Sequence, residues 1–350
     1  MFDRAYRRLH QGLNRRLGRW CGGRWAHHVR PTAIALLLTK RCNARCVHCD
    51  LWQESGPEEN LGLQEWRSLL DDFRSWLGPV HIVLTGGEAL LRPFTPELLA
   101  YGVSRGFFME LLTNGYRNDP DLLRQVALSN PGRITLSVDG IGAAHNLVRG
   151  RTNFWEKTVA AVETLVRLRR EEGLNYAILL KCVIMQQNLG AAAEVARYAR
   201  QVGVEVLYQP VEQNYGTAED AQWFEQAPTW PHDVETAVQT IEALLALKKE
   251  GMPILNTREQ LEVMIPYFRN PIASQETVRA HTSHEERPLC AATGMLQVEP
   301  NGDVTICCRR PTVGNIVAQP IRTIWAQRPQ WWRGAGCGIE AYCPCDPRRG

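Results

Sequence analysis

The hydrophobic pattern of the chain alternates short apolar runs with helical repeats from residue 32 onward. Helical patterns separate the runs, for example at 63–77 and 154–172. Near-continuous apolar strands in β–α succession indicate a parallel sheet covered by helices, either a barrel or an open sheet. The six runs are AIALLLT (33–39), VHIVLT (80–85), FFMELLT (107–113), RITLSV (133–138), YAILLKCVIM (176–185) and VEVLYQP (204–210).

Three further segments surround this region, which spans 32–212. Residues 1–31 predict a basic amphipathic helix, because apolar residues recur at steps of three and four between arginines. Such a helix can pack across the main domain, or residues 1–24 can lie on an anionic membrane surface. Residues 213–289 predict a less regular region that connects and shapes the substrate pocket. Residues 290–350 predict a separate unit with a hairpin turn at Asn301-Gly302 and a short helix.

Composition narrows the class of protein. With 350 residues and 44% hydrophobic content, the chain can bury a large core. A net charge of +3 gives no reason to expect a nucleic-acid partner. No apolar run reaches the length of a membrane-spanning helix, and the basic N-terminus has no signal-peptide pattern. We therefore expect a cytoplasmic protein, with peripheral contact to the inner membrane surface as a variant.

The eleven cysteines fall into two clusters, at 42–49 and 290–345, with Cys21 and Cys182 outside them. An odd, clustered set in a chain of this length favours reduced, metal-binding thiols over a disulfide framework. Cys182 lies within an apolar run, where packing is the expected role.

The first cluster, Cys42, Cys46 and Cys49, follows the first predicted strand. Polar residues also follow the next four strands, and the carboxyl ends of parallel strands are where chemistry gathers. Three thiolates can hold a cubic iron–sulfur cluster whose fourth iron is open, or a zinc ion with a fourth ligand from Cys21, His27 or His48. The polar residues are Gly86-Gly87-Glu88, Asn114-Gly115, Asp139-Gly140 and Gln186-Gln187-Asn188.

The sequence CNARCVHC (42–49) resembles the CxxxCxxC signature of the radical S-adenosylmethionine (radical SAM) superfamily. The resemblance covers about residues 32–212 and implies a partial (β/α)6 barrel. One departure stands at Ala89, where the family's GGEP motif has proline; we expect SAM binding to survive it. The resemblance continues through TGGEALLRP (85–93), LLTNG (111–115), SVDG (137–140), HNLVRG (145–150) and VIMQQN (183–188).

The resemblance also implies cofactors and their contacts. It implies a [4Fe–4S] cluster on the three cysteines and SAM on the open iron, with a flavodoxin or ferredoxin as reductant. Gly86, Gly87 and Glu88 are then expected at the methionyl amine and Arg149 at the SAM carboxylate. The remaining expected contacts are Asn114 and Ser137 with the ribose, and Ile184 with the adenine. Ordinary structural roles are the alternatives for Arg149, Asn114 and Ser137.

The C-terminal cysteines resemble the SPASM extension or its shorter Twitch form. Cys290, Gly302 and Cys307 match its opening, with eleven and four intervening residues. The resemblance implies one auxiliary [4Fe–4S] cluster, with a structural zinc as alternative. Its expected ligands are Cys290, Cys307, Cys343 and either Cys337 or Cys345. Cys308 is expected to be a hydrogen-atom donor to a substrate radical, against a spare ligand or an inert thiol.

Together these features predict a radical SAM enzyme of the oxidoreductase or epimerase class. It would oxidise, epimerise or cross-link a small-molecule or peptide substrate. A peptide or protein maturase, an enzyme on a lipid-linked substrate and a non-catalytic iron–sulfur scaffold are the alternatives. Because the segment before the first strand is short, we do not expect a fused leader-peptide-binding domain.

Overall fold

The computed structural model describes residue 9 and residues 30–54, 59–214, 217, 220, 222–271, 295–306 and 312–327. The predictions for the N-terminal helix and for Cys290, Cys307, Cys308, Cys337, Cys343 and Cys345 lie outside these residues. By its internal contacts the chain divides into two compact units. The first comprises Met1–Lys40, Gly56–Glu110 and Thr282–Gly350, and the second comprises Arg41–Ser55 and Leu111–His281.

Nine strands within the described residues form an open sheet in the order β6-β5-β4-β3-β2-β1-β7-β8-β9. The sheet ends at β6 and β9 and is not closed, and the β–α succession of β1 to β6 confirms the predicted α/β fold with a partial barrel. The strands are β1 (Ala33–Leu37), β2 (His81–Thr85), β3 (Phe108–Thr113), β4 (Arg133–Ser137), β5 (Ala177–Ile184), β6 (Glu205–Pro210), β7 (Met295–Val298), β8 (Asp303–Thr305) and β9 (Gly314–Asn315).

Helices alternate with the first six strands and continue after them. Short 3-10 helices at Leu51–Gln53, Ala89–Leu91 and Gln186–Ala191 follow β1, β2 and β5. The α-helices within the described residues are α1 (Leu63–Leu77), α2 (Thr95–Ser104), α3 (Pro120–Leu128), α4 (Ala143–Arg149), α5 (Phe154–Glu171), α6 (Ala192–Val202), α7 (Trp223–Gln226), α8 (Val234–Lys249), α9 (Arg258–Glu262), α10 (Met264–Arg269) and α11 (Ile321–Ala326).

Helix α1 shows how the sequence period produces these elements. Trp66, Leu70 and Phe73 recur at helical spacing and are fully buried. The carboxylate of Glu65 accepts a hydrogen bond from the Gly62 backbone N–H at 2.9 Å and so caps the first turn. Gly78, with φ of +73°, ends the helix.

In the first unit, the C-terminal hairpin is part of the main sheet. Strand β7 runs parallel to β1, and β8 pairs antiparallel with β7 across the Asn301-Gly302 turn. The predicted hairpin is therefore present, whereas its parallel pairing with β1 and the extra strand β9 were not predicted. That pairing covers an edge of β1 that would otherwise expose backbone donors and acceptors.

In the second unit, residues 253–256 cover the edge of β6, which the sequence did not predict. The Val206 N–H donates to the Pro253 carbonyl at 2.9 Å, and the Leu255 N–H donates to the Val206 carbonyl at 2.8 Å. The side chain of Asn256 then bonds both backbone groups of Tyr208, at 2.8 Å each. The side-chain amide of Asn256 thus continues the hydrogen bonding along the edge of β6 beyond the last backbone pair.

Among the helices of the described residues, none has the length and apolar character needed to cross a membrane.

Candidate functional site

The cysteine loop of the second unit is bound to helix α4 by backbone hydrogen bonds. The Arg45 N–H donates to the Arg149 carbonyl and the Val47 N–H donates to the Val148 carbonyl, both at 3.0 Å. These two bonds lie on either side of Cys46. The end of α4 therefore fixes the backbone that presents the thiols.

Gly150 makes this close approach possible. It ends α4 with φ of +71°, and a Cβ atom at this position would lie 2.4 Å from the Arg45 carbonyl oxygen. A side chain here would meet rigid backbone and would also adopt a conformation that L-residues disfavour. Gly150 thus allows the cysteine loop to lie close to the end of α4.

Hydrogen-bond donors surround the thiols of this loop. The Ala44 N–H lies 3.4 Å and the Asn114 Nδ2 atom 3.8 Å from Cys42 Sγ. Arg149 Nη1 lies 3.4 Å from Cys46 Sγ, which is buried. Donors of this kind favour thiolates over thiols. Burial raises the pKa of Cys49 to about 11, so a bound cation is the natural partner that would keep this thiolate charged.

A buried ion pair orients Arg149. Its Nη2 atom lies 2.5 Å from Asp139 Oδ2, and both side chains are almost fully excluded from solvent. Asp139 also accepts a hydrogen bond from the Val183 N–H at 2.9 Å. Burial alone would raise the pKa of Asp139, but the positive charge of Arg149 holds it below its usual value. Arg149 is therefore anchored between the end of β4 and Cys46.

A hydrogen-bond chain joins this pair to Asn114. The Asp139 N–H donates to His145 Nδ1 at 3.1 Å, and His145 Nε2 lies 3.5 Å from the Thr158 hydroxyl. Thr158 in turn donates to the Asn114 carbonyl at 3.1 Å. Burial lowers the pKa of His145 to about 3, so the ring is neutral and Nδ1 can accept. The network positions Asn114, whose amide faces Cys42.

In the first unit, Gly86 and Gly87 pack tightly against the end of β1. The Gly87 N–H donates to the Thr39 carbonyl at 2.8 Å. Gly86 has φ of +136°, and a Cβ atom there would lie 2.3 Å from the same oxygen. The buried carboxylate of Glu88 accepts a hydrogen bond from the Leu90 N–H at 3.0 Å. Glu88 therefore caps the following 3-10 turn, a role the sequence did not indicate.

Glu59 and Arg92 form a second unpredicted contact in the first unit. The Thr39 hydroxyl and the Arg92 guanidinium both donate to the Glu59 carboxylate. Arg92 also donates to the Leu61 carbonyl at 3.0 Å. These bonds tie the residues before α1 to the strand end that supports Gly87. The sequence did not predict these contacts, because Thr39, Glu59 and Arg92 are far apart in the chain and follow no periodic pattern.

Ser137 and Ile184, the other expected SAM contacts, end adjacent strands of the second unit. Ser137 is half-buried and lies opposite Lys181 in the β4–β5 register. Ile184 is fully buried, and its odd offset from Lys181 puts it on the opposite face from Ser137. The structure therefore brings Asn114 and Arg149 to the thiols and leaves Ile184 on the other face of β5.

Comparison with known proteins identifies the chain. A family model described as the radical SAM superfamily matches residues 36–185, and a model described as the SPASM iron–sulfur cluster-binding domain matches residues 290–346. The chain belongs to the radical SAM superfamily. This membership carries a [4Fe–4S] cluster and SAM, and the SPASM domain carries an auxiliary iron–sulfur cluster.

Relatives of this radical SAM chain match it over most of its length. It is 26% identical over 324 residues to AdoMet-dependent heme synthase of Methanosarcina barkeri, covering 89% of each chain. It is 25% identical over 337 residues to PqqA peptide cyclase of a Methylobacterium species, covering 91% of this chain and 80% of the cyclase. The crystal structure of Streptococcus suis SuiB shares the fold, with a TM-score of 0.65 at 13% identity over 87% of this chain and 68% of SuiB.

The described residues of the radical SAM domain fit its cluster. The three cysteines lie on one loop, free of disulfide bonds, and Cys42 and Cys49 pack with Cys46 around Ala44 and Phe154. In the part of the chain that the structure describes, no three His, Cys, Asp or Glu side chains converge as they would on one metal ion. A cubic cluster makes a different demand, because each thiolate binds its own iron.

We predict that Gly150→Ala lowers the iron bound after reconstitution. The new methyl group meets the Arg45 carbonyl, so the loop must move away from α4. Gly203→Ala is the matched control, because Gly203 also ends a helix at φ of +70° but has no atom within 4 Å of a Cβ position. Both variants should lose about 1 kcal/mol of stability or more from backbone strain. Equal iron contents in the two variants would contradict the role of Gly150.

We also predict that His145 makes stability depend on pH below 6.5. The folded protein keeps His145 neutral to about pH 3, whereas the unfolded chain takes up a proton below its ordinary pKa of 6.5. The free energy of unfolding should therefore fall as pH is lowered from 6.5 to 5.0, by at most about 1.4 kcal/mol per pH unit. His145→Gln should reduce this slope and leave the slope between pH 7.0 and 8.0 unaltered. Denaturant titrations that give equal slopes at low pH would disprove it.

Proposed function

We propose that this radical SAM protein is an active enzyme that cleaves SAM reductively and abstracts a hydrogen atom from its substrate. The observation that carries the proposal is the cysteine loop, held to α4 by two backbone bonds with Asn114 and Arg149 directed at its thiols. A non-catalytic scaffold has no need of the Gly86-Gly87 turn, whose backbone packs more closely than a side chain at Gly86 would allow.

When bound, the [4Fe–4S] cluster would pass one electron from the reductant to the sulfonium of SAM, which would yield methionine and a 5′-deoxyadenosyl radical. The residues of the chain bind and orient. Asn114 and Arg149 donate towards Cys42 and Cys46 and so stabilise their thiolates. Gly86 and Gly87 hold the turn beside β1, and its backbone groups are proposed to bind the methionyl amine.

The finer assignments follow the family resemblance and are part of the proposal. Glu88 completes the methionyl site, Ser137 and Asn114 serve the ribose, and Arg149 serves the SAM carboxylate. Cys308 is proposed as the hydrogen-atom donor for the case in which the outcome is epimerisation or reduction and not oxidation, and a flavodoxin or ferredoxin as the reductant. Peripheral membrane contact through residues 1–24 is proposed as a variant. The auxiliary ligands are proposed as Cys290, Cys307, Cys343 and either Cys337 or Cys345.

For the substrate, we propose an iron tetrapyrrole that carries carboxylate side chains. The match to AdoMet-dependent heme synthase supports this class, because it extends over 89% of both chains and is not confined to the shared SAM-binding region. Abstraction of hydrogen from a side chain of such a substrate is an oxidation, in keeping with the oxidoreductase class.

A peptide is the second candidate substrate. PqqA peptide cyclase matches 91% of this chain, at a similar identity. The fold is also shared with SuiB, whose structure is known with its precursor peptide SuiA. The two candidates differ in what the radical attacks and not in how it is made, so they are separated by product analysis.

We predict that Cys46→Ala abolishes reductive SAM cleavage. Cys46 is buried beside Arg149, and its loss removes one of three thiolates. The variant should lose about four iron atoms per chain and release no 5′-deoxyadenosine with dithionite and SAM. Cys182→Ala is the control, since this buried thiol lies in mid-strand. Retained iron and cleavage in Cys46→Ala would sink the proposed cluster site.

We predict that iron coproporphyrin III, used as an iron tetrapyrrole with carboxylate side chains, changes mass in anaerobic incubations with SAM and dithionite, whereas a synthetic PqqA peptide does not. Release of 5′-deoxyadenosine should rise when the porphyrin is added, because substrate binding organises the site for hydrogen transfer. Mass spectrometry of both substrates decides between the two classes. A modified peptide with unchanged porphyrin would replace the first candidate by the second.

A further inference from the structure

Five aromatic side chains pack together in the segment of the second unit that follows β6. Trp230 lies at the centre of this aromatic cluster, with its ring centroid 5.4 to 5.5 Å from those of the four others. Trp230 and Phe268 are buried, whereas Trp223, Phe224 and Tyr267 are half-buried. The cluster therefore has a buried base and a partly accessible outer part. The sequence pattern did not predict it, because the fold brings α7 and α10 together.

Hydrogen bonds fix the aromatic cluster beside the carboxyl ends of β5 and β6. The Tyr267 hydroxyl donates to the carbonyl of Val211, the residue after β6, at 2.8 Å. The N–H of Gln186, which lies just beyond β5, donates to the Thr229 carbonyl at 2.9 Å, next to the central tryptophan. The carboxyl ends of parallel strands share one edge of a sheet, so the cluster lies at the edge where Asp139 follows β4.

A second set of hydrogen bonds joins the segment before the cluster to the cysteine loop. The Asn214 amide donates to the carboxylate of Asp50, which directly follows the third cysteine of the loop, at 2.9 Å. The side chain of Gln213 accepts a hydrogen bond from the Asp220 N–H at 3.2 Å, and the Asp220 carbonyl accepts one from the Trp223 N–H at 3.3 Å. Trp223 is therefore connected through bonded neighbours to the loop that carries the thiols.

Trp223 keeps part of its ring accessible. It contacts Phe224 and Trp230 edge-to-face, with interplanar angles of 90° and 88°. In the part of the chain that the structure describes, no aromatic ring lies parallel to it. Edge-to-face contacts fix the orientation of an aromatic ring without covering both of its faces. The half-buried indole is thus held in place by its neighbours while part of its surface can contact a ligand.

An iron tetrapyrrole has the shape that such a surface fits. Its macrocycle is a flat conjugated ring, and the two faces of the ring carry most of its apolar area. Removing one face from water against aromatic side chains is favourable in proportion to the area covered, and the atoms in contact add dispersion attraction. An extended peptide presents no flat apolar area of this size, because its backbone groups need hydrogen-bond partners. The aromatic cluster therefore favours the first candidate substrate over the second.

We propose that Trp223 and Phe224 form the surface on which the macrocycle of the substrate stacks, beside the cysteine loop. The inference rests on the proposed tetrapyrrole substrate and names the residues that bind its ring. Trp230 and Phe268 are positioning residues, because they are buried and hold the two outer rings in place. Removal of an aromatic side chain on which a ligand ring stacks typically lowers affinity by roughly 5- to 100-fold.

The test measures the affinity of the reconstituted enzyme for iron coproporphyrin III by difference absorbance titration. Trp223→Leu keeps an apolar side chain but removes the ring, and it should weaken binding at least about five-fold. Trp223→Phe keeps an aromatic face and should stay within about three-fold of the wild type. Trp76→Leu is the matched control and should bind like the wild type, because Trp76 on α1 is also half-buried and contacts Trp325 edge-to-face at 6.3 Å.

The results that would overturn the inference are distinguishable from failure of the proposed function. Equal porphyrin affinities of the wild type and Trp223→Leu would refute the inference while the proposed function stands. A loss in Trp223→Phe as large as that in Trp223→Leu would also refute it, because ring stacking would not explain the loss. Absence of porphyrin binding by a wild type that still cleaves SAM with dithionite would remove the proposed substrate and this inference together.

Two further measurements separate ring binding from other roles of Trp223. Both Trp223 variants should bind SAM like the wild type in equilibrium dialysis, and weaker SAM binding would assign the indole to the cofactor site instead. Circular dichroism should give the same spectrum for the wild type and all three variants. A changed spectrum in Trp223→Leu alone would make its lost affinity a folding effect, which would count against the inference unless Trp223→Phe restored both properties.

Discussion

The buried pair of Asp139 and Arg149 is the interaction on which the site of the second unit depends. Breaking such a pair typically costs about 3 to 5 kcal/mol, because the remaining charge is left without water or a partner. The pair also has a geometric effect. The Val183 N–H holds the Asp139 carboxylate in place, and Arg149 contacts this carboxylate and Cys46 at the same time. The end of β4, helix α4 and the Asp139 carboxylate together thus position the Arg149 charge that stabilises the Cys46 thiolate.

Close backbone contacts at two glycines also fix the geometry of the candidate site. At Gly150 the cysteine loop approaches α4, and at Gly86 the turn after β2 approaches β1, each closer than a Cβ atom would permit. Hydrogen bonds alone would tolerate shifts of a few tenths of an ångström. Contacts between backbone atoms do not, since neither side can change its rotamer. This rigidity suits a site that must hold reactive groups in one orientation.

Hydrophobic periodicity predicted the elements, and polar strand ends predicted where chemistry gathers, because both signals are local in sequence. The six core strands and helices such as α1 accordingly lie where the pattern put them. The partners within the site are not local. Asp139 was noted as a strand-end residue and Arg149 as a SAM contact, but their pairing depends on the fold. The hydrogen bonds of the Asn256 amide to the edge of β6 depend on the fold in the same way.

Ala89 stands where the family's GGEP motif has proline, and its surroundings show how the turn forms without that proline. A proline would restrict the unfolded chain and stabilise the turn by about 0.4 to 1 kcal/mol. The turn forms without it, because Glu88 caps the Leu90 N–H and the Thr95 hydroxyl donates to the Ala89 carbonyl at 2.6 Å. Ala89 is fully buried, so a larger polar residue would not fit. The substitution therefore removes a small contribution to stability while the turn that supports Gly87 stays in place.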